Sequence, residues 1–311
     1  MIVAAHNAAG TLGRALASLE AQTIGEGYEV IVVDDGSTDG TDEIAAAFVA
    51  DKPCFRLLRQ ERCGPAAARN AGASISGGEA LAFTDSDCFA TAAWLEQGLR
   101  ALAGSDLVQG AVAPDPTMVL GPWDRTLWVE RETGLYETAN LFVCREMFER
   151  VGGFEVWLEP TIGKPIAEDM WFGWRARRAG ARSAFCREAL VHHAVFPRGA
   201  IGFLDERRRH QYFPAMAAKM PELRAQFFAG RLFLSRRSAA FDAALAGACF
   251  AAATRRSWPL VAAAPYARAL LRESRVYRRR APLVVAGRAA GDAVTLFSLL
   301  KGSIRWRSLV L

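Results

Sequence analysis

Tyr28-Glu29-Val30-Ile31-Val32-Val33-Asp34-Asp35-Gly36-Ser37-Thr38-Asp39 decides the fold. An apolar, β-branched run of this kind reads as a strand buried on both faces. It stops on two carboxylates and a glycine turn. A strand that runs straight into two acids is costly unless the acids have partners. Asp34 and Asp35 are therefore candidates to accept hydrogen bonds from a base N–H or ribose hydroxyls. The same residues also read as a plain turn in which Ser37 or Asp39 caps the next helix. The two roles are compatible.

Working outward, strands and helices alternate. Strands are expected at Ile2–Ala5, Tyr28–Val33, Phe55–Leu58, Ala80–Thr84 and Leu107–Val112, and helices at Gly10–Gln22, Thr41–Ala50, Pro65–Ala73 and Ala92–Leu102. Such βα units predict an α/β fold, a Rossmann-like, mostly parallel sheet flanked by helices. Ligands in these sheets bind beyond the carboxyl ends of the strands. Residues 114–137 read as a connecting segment. Asn140–Cys144 and Ala189–His193 read as short strands, with helices over Glu146–Val151 and Glu168–Ala179. Between these, residues 155–166 carry Pro160, Gly163 and Pro165 and read as a movable lid. From about residue 203 the pattern is helical and rich in Ala and Arg. The expected division is residues 1–200 for a catalytic domain and 201–311 for a helical, basic extension.

Four further constellations carry chemistry. Phe83-Thr84-Asp85-Ser86-Asp87 is a second apolar strand ending on acids, two residues apart. A diphosphate needs a hard divalent cation, and such cations take carboxylate oxygens. Alone, this spacing also fits a surface turn. Gly64-Pro65-Ala66-Ala67-Ala68-Arg69-Asn70 is a helix start made of small residues, which can approach a sheet or a ligand closely. Arg69 could face phosphates, or the alanines could simply pack. Glu168-Asp169 precedes Trp171-Phe172-Gly173-Trp174. The helix dipole alone favours acids there, but a carboxylate beside aromatics can also take a proton from a sugar hydroxyl. His192-His193 sits on a strand, so its two rings face opposite ways. One can complete a metal site, although adjacent histidines are more often structural.

The charge is split. Residues 1–200 hold 18 Lys/Arg and 27 Asp/Glu, a net of −9, and residues 201–311 hold 20 and 6, a net of +14. An acidic half can hold a metal. A basic, apolar half fits an anionic membrane face. Nucleic acid is not expected as a partner, because no nucleic-acid motif accompanies the charge. The six cysteines form no CxxC pair and read as buried thiols of a reducing cytoplasm. No signal peptide is expected at the start. A transmembrane helix is not expected either: the longest candidate, Ala239 to Thr254, is short and contains Asp242.

Six blocks in unbroken order, VAAHN (3–7), VIVVDDGSTDGT (30–41), GPAAARNAG (64–72), ALAFTDSDC (80–88), NLFVCREMFERVGGF (140–154) and AEDMWFGWRARRAG (167–180), resemble family 2 glycosyltransferases. The resemblance implies a GT-A fold, a nucleotide-diphosphate sugar donor and transfer with inversion to a hydroxyl of a glycan or lipid-linked acceptor. It also implies bacterial cell-envelope polysaccharide biosynthesis. Ala4, Asn7, Asp34, Asp35, Arg69, Asp85 and Ser86 would line the nucleotide sugar, with Asp35 on the base. Asp87, Asp85 and His193 would hold Mg²⁺ or Mn²⁺. Asp169 would be the general base, with Glu168 beside it. The expected location is cytoplasmic, with peripheral attachment at the inner face of the plasma membrane.

The chain departs from the family pattern in places. The apolar–Pro lead into the first strand is missing, and His6 stands at a position that is often aromatic. There is no Gln-x-x-Arg-Trp motif, which disfavours a processive synthase. A nucleotidyltransferase would need a basic residue in the Ala8-Ala9-Gly10-Thr11 turn. A dinucleotide-binding dehydrogenase would need G-x-G-x-x-G. The remaining alternative is an inactive sugar-nucleotide-binding or membrane-scaffold protein. Retention of both Asp87 and Asp169 argues against it.

Overall fold

In the computed structural model, which describes residues 1–24 and 27–311, β1 (Ile2–Ala5), β2 (Val30–Asp35), β3 (Phe55–Gln60) and β4 (Ala80–Asp85) form one parallel half of an eight-stranded sheet. β2 is buried at all six positions, as its uninterrupted apolar run requires. The other strands are β5 (Cys88–Ala90), β6 (Leu107–Pro114), β7 (Asn140–Cys144) and β8 (Ser183–His193). The order is β3-β2-β1-β4-β7-β6-β8-β5. β7 runs antiparallel to both neighbours, and β5 runs antiparallel to β8. The parallel expectation thus holds for the first four strands and for the β6–β8 pair, while the sheet as a whole is mixed.

Helices α1 (Leu12–Glu20), α2 (Thr41–Val49), α3 (Pro65–Ile75), α4 (Trp94–Leu102), α5 (Arg145–Arg150), α6 (Glu159–Ile162) and α7 (Glu168–Arg178) complete this unit, which comprises Met1–Val119 and Thr126–Val195. α1 buries Leu12, Ala15, Leu16 and Leu19, the spacing of one helical face. α3 starts with Pro65 at its first turn and lies close to the sheet. A Cβ on Gly72 would come within 2.7 Å of the Ile2 side chain. The expected lid carries the short helix α6 inside it, and Leu158 is buried.

Two local features shape the site end. Asp85 and Cys88 are three residues apart, so they lie within about 11 Å. In a flat sheet the four strand spacings between β4 and β5 would separate them by about 19 Å. The sheet must curl to let Ser86-Asp87 bridge it. The second feature is a register shift between Gly110 and Ala111, where β6 and β8 part. The Asn140 side chain fills the gap, donating to the carbonyls of Ala111 and Ala189 at 2.7 Å each and accepting from Trp94 Nε1 at 2.8 Å. Without it, buried carbonyls lose their partners.

The second unit comprises Leu120–Arg125 and Phe196–Leu311 and is helical: α8 (Ala200–Arg207), α9 (Phe213–Lys219), α10 (Leu223–Gln226), α11 (Arg236–Thr254), α12 (Ala264–Ser274) and α13 (Ala281–Trp306), with three 3₁₀ turns. Trp123, Phe203 and Val284 form its apolar cluster. Arg237 pairs with Asp292 at 2.7 Å and with Glu273 at 2.5 Å, tying α11 to α13 and α12.

Candidate active site

The acids that end β2 have different surroundings. Both are 4% exposed. The Asp35 carboxylate accepts three hydrogen bonds, from Gln60 Nε2 at 2.7 Å and from the backbone N–H groups of Cys63 and Gly64 at 2.8 and 2.9 Å. It ties the end of β2 to the loop before α3. Asp34 Oδ2 accepts only from Ser37 N, at 3.4 Å, and its buried Oδ1 has no partner. The open acceptor is therefore on Asp34, whereas the resemblance implies that Asp35 meets the base. Asn7 pins the loop after β1 to this end. It has φ +50°, accepts from Thr38 N at 2.9 Å and donates its own N–H to Ser37 Oγ at 3.0 Å. Ala4 lies opposite Asp85 in the β1–β4 ladder.

Arg69 joins two elements distant in sequence. Its guanidinium, 6% exposed on α3, reaches Asp85 at the end of β4 (2.8 Å) and Glu168 at the start of α7 (3.4 Å). Burial alone would lower its pKa, but Asp85, Glu168 and Asp169 together hold it above the ordinary value. Arg69 is thus engaged by carboxylates rather than open to a phosphate. Asn70, one residue on, clamps the backbone of Phe154 through two bonds of 2.8 Å. Gly153 has to be glycine for this, since its φ is +68° and a Cβ would sit 2.6 Å from Asn70 Oδ1. α7 begins at Ala167 in the left-handed region (φ +65°), whose carbonyl accepts from Trp157 Nε1 at 3.2 Å.

Asp169 accepts from Met170 N at 2.7 Å. Burial, then the neighbouring Glu168 charge, push its carboxyl well above the usual carboxylate range, against the pull of Arg69. Glu137 contributes to that rise. Its own carboxyl is pushed up to about 7 by burial, and its Oε2 is buried without a partner. Sequence reasoning missed Glu137. It stands in an irregular segment with no period or motif to mark it.

At the other side of the turn, Asp87, Cys88 and His193 gather their ligand atoms within 4.8 Å of one another. The β5–β8 register sets Cys88 opposite His193 and Phe89 opposite His192. His193 Nε2 lies 3.5 Å from Asp87 Oδ2. Its Nδ1 is 2.6 Å from the Ala194 carbonyl oxygen, so Nδ1 donates there and Nε2 is the ring nitrogen turned toward Asp87. Ala194 N in turn donates to the Asp87 carbonyl at 2.8 Å. Burial, then the charges of Asp85 and Asp87, push the Cys88 thiol well up. The donors suited to a hard cation are therefore the Asp87 carboxylate and His193 Nε2. Asp85 is paired with Arg69, outside this cluster, and Ser86 shares the turn.

Arg69 thus brings the acidic turn after β4 to the carboxylates of α7. Beside them the loop before α3 (Cys63 and Gly64), Glu168 of α7 and the expected lid (Val156, Glu159 and Pro165) come together, leaving no enclosed space large enough for a water molecule.

The fold recurs in solved structures. The mannosyltransferase PcManGT from Pyrobaculum calidifontis, solved with GDP-Man and Mn²⁺, superposes with a TM-score of 0.58 at 21% identity, over 97% of this chain and 85% of that one. S. aureus TarS superposes with a TM-score of 0.52 at 18% identity, over 97% and 54%. Residues 1–160 match the family described as Glycosyl transferase family 2. Among curated proteins, the glycosyltransferase AglE of Haloferax volcanii is 32% identical over 213 residues, 65% of this chain and 68% of AglE. The putative glycosyltransferase EpsH of Bacillus subtilis is 36% identical over 100 residues, which is 32% of this chain and 29% of EpsH. The chain belongs to the family 2 glycosyltransferases.

Proposed function

We propose that this glycosyltransferase moves a sugar from a nucleoside-diphosphate donor to a hydroxyl of a glycan or lipid-linked acceptor, with inversion and with the help of Mg²⁺ or Mn²⁺. The observation that carries the reading is the Arg69 bridge, which joins Asp85, at the start of the acidic turn, to Glu168, the residue before Asp169. The Mn²⁺ and GDP-Man of the solved mannosyltransferase support it.

The base and ribose would lie against the ends of β1 and β2, near Ala4 and Asn7. There Asp34 offers the open acceptor and Asp35 holds the loop that shapes the pocket. Asp87 and His193 would hold the cation, with Asp85 and Ser86 beside them. The cation, when bound, neutralises the diphosphate and stabilises it as a leaving group. Asp169 accepts the proton of the acceptor hydroxyl. The hydroxyl oxygen attacks the anomeric carbon from the face opposite the diphosphate, and the bond from that carbon to the diphosphate oxygen breaks. Burial above all, then the charge of Glu168 and a smaller contribution from Glu137, raise the proton affinity of Asp169 toward that of a base near neutral pH. Arg69 fixes Asp85 and Glu168 in position.

The test is a panel of nucleotide sugars incubated with Mn²⁺ or EDTA, for the wild-type protein and Asp87→Ala. Metal-dependent release of one nucleoside diphosphate, lost in Asp87→Ala, is the expected result. Absence of both release and metal-dependent nucleotide binding would instead mark a protein that has lost this chemistry.

A further inference from the structure

α13 leaves an apolar stripe exposed along its length. Its outward stripe is Leu283, Ala286, Ala290, Phe297, Leu300 and Ile304, all exposed, with Leu283 at 66%, Phe297 at 71% and Ile304 at 81%. The spacing follows one helical face, and the stripe runs about 32 Å along the axis. The inward face buries Val284 and Leu299, and its other buried positions are the small Gly291, Thr295, Ser298, Gly302 and Ser303. These small residues let the helix lie close to its neighbours: a Cβ on Gly291 would meet Phe203 at 2.6 Å, and one on Gly302 would meet the Gln211 carbonyl at 2.1 Å. Two charged residues in the middle of the helix are turned to partners in its own unit, Asp292 to Arg237 and Arg288 to Glu273, while Lys301 and Arg305 near its end are exposed. A helix bathed in water on its outer side carries the opposite arrangement.

The ends of the stripe carry a single sign of charge. Arg275, Arg278, Arg279 and Arg280 precede it, and Lys301, Arg305 and Arg307 close it, every one exposed. No acid shares the stripe. An 18-residue window of this helical segment reaches a mean hydropathy of 1.5, yet only 28% of the window is buried. A second exposed apolar patch in the same unit, Phe250 with Trp258, Leu260 and Val261, follows directly on Arg255 and Arg256.

We propose that α13 docks in the plane of an anionic lipid bilayer, with its outward stripe in the acyl boundary and its terminal arginines on the headgroups. The apolar length, the cationic ends and the net +14 of residues 201–311 fit that partner. A spanning orientation would place the ion-paired inner face and the elements packed on it within the hydrocarbon. The inference rests on α13 and does not depend on the assignment of the active site.

The experiment is co-sedimentation of the full chain with vesicles of phosphatidylcholine alone and of phosphatidylcholine with phosphatidylglycerol. Binding is expected mainly to the anionic vesicles and is weakened by salt. Phe297→Glu combined with Ile304→Glu should lower the partition coefficient by about tenfold or more, with thermal unfolding unchanged. Val119→Glu, at an exposed apolar position in the other unit, should bind like the wild type. Arg278→Ser with Arg279→Ser and Arg280→Ser should remove the preference for anionic lipid. Unchanged binding in the Phe297/Ile304 variant overturns the proposal. So does conversion of a wild-type dimer to a monomer by that variant without change in vesicle binding, which would mean that a second copy covers the stripe. Resistance of the bound wild type to alkaline extraction, as for a spanning helix, also overturns it.

Discussion

β2 and β4 end in the same way in sequence, an apolar run followed by two acids and a turn, yet the folded chain uses the two ends differently. At β2, Asp35 spends its acceptors on Gln60, Cys63 and Gly64. That carboxylate builds the loop. At β4, Asp85 is likewise engaged, by Arg69, but Asp87 lies beyond the strand with His193 as its neighbour. A motif read as ligand-binding therefore holds two kinds of acid, those that shape the site and those that face it. The hydrogen-bond partners of each carboxylate separate them.

Substitutions can break or sharpen that contrast, beginning with the largest effect. Asp87→Ala should lower kcat/KM by about a thousandfold or more while leaving thermal stability close to wild type, the outcome the proposed cation-holding role requires. A large fall in melting temperature would move Asp87 into the structural class. Asp169→Asn should cost about 10²- to 10⁴-fold in kcat. In the wild type, activity should decline as pH falls through the raised pKa of Asp169, above the ordinary carboxylate range. A pH–rate profile without that acidic limb would remove Asp169 from the role of base.

Asp35→Ala should show the reverse signature. Three donors lose their acceptor, so stability should fall by about 2–4 kcal/mol in denaturant titrations. Glu137→Gln tests the buried carboxyl beside Asp169. The folded state holds that proton to about pH 7, whereas the unfolded chain releases it near pH 4.3. The native state is therefore favoured at low pH and loses that advantage as pH rises between the two values. Relative to wild type, Glu137→Gln should gain on the order of 2 kcal/mol between pH 4 and pH 8, read as a pH-dependent difference in melting temperature. The smallest effect is expected for Asp34→Ala, with stability nearly unchanged and donor binding about tenfold weaker by calorimetry, comparable to the loss of one hydrogen bond to a charged group. Unchanged donor affinity would shift the base contact elsewhere.

The parallel half of the sheet was legible because each of its strands is a separate apolar run ended by turn residues. The other half was less so. β5 is three residues long, too short for any periodicity to mark it. β8 begins at Ser183 rather than Ala189, since Arg187 and Glu188 interrupt its apolar pattern where the register shifts. Strand direction leaves no trace in local sequence, so the antiparallel setting of β7 could not be read from it. The candidate acids stand at strand and helix ends, positions that sequence alone can point to. It cannot point to their partners. Arg69 meets Glu168 across 99 residues, and Asp87 meets His193 through a ladder whose register only the folded sheet defines.

The Ser86-Asp87 turn also limits how this enzyme can diverge. Surface loops ordinarily accept added residues, because closure entropy grows slowly with length. This link is held on one side by the β4 ladder and on the other by the pairing of Cys88 with His193. One inserted residue that slipped β5 against β8 would turn its side chains to the opposite faces of the sheet. Lineages descended from this protein should therefore vary at the turn by exchanging side chains, with gaps and insertions collecting in the 115–139 and 155–166 segments instead.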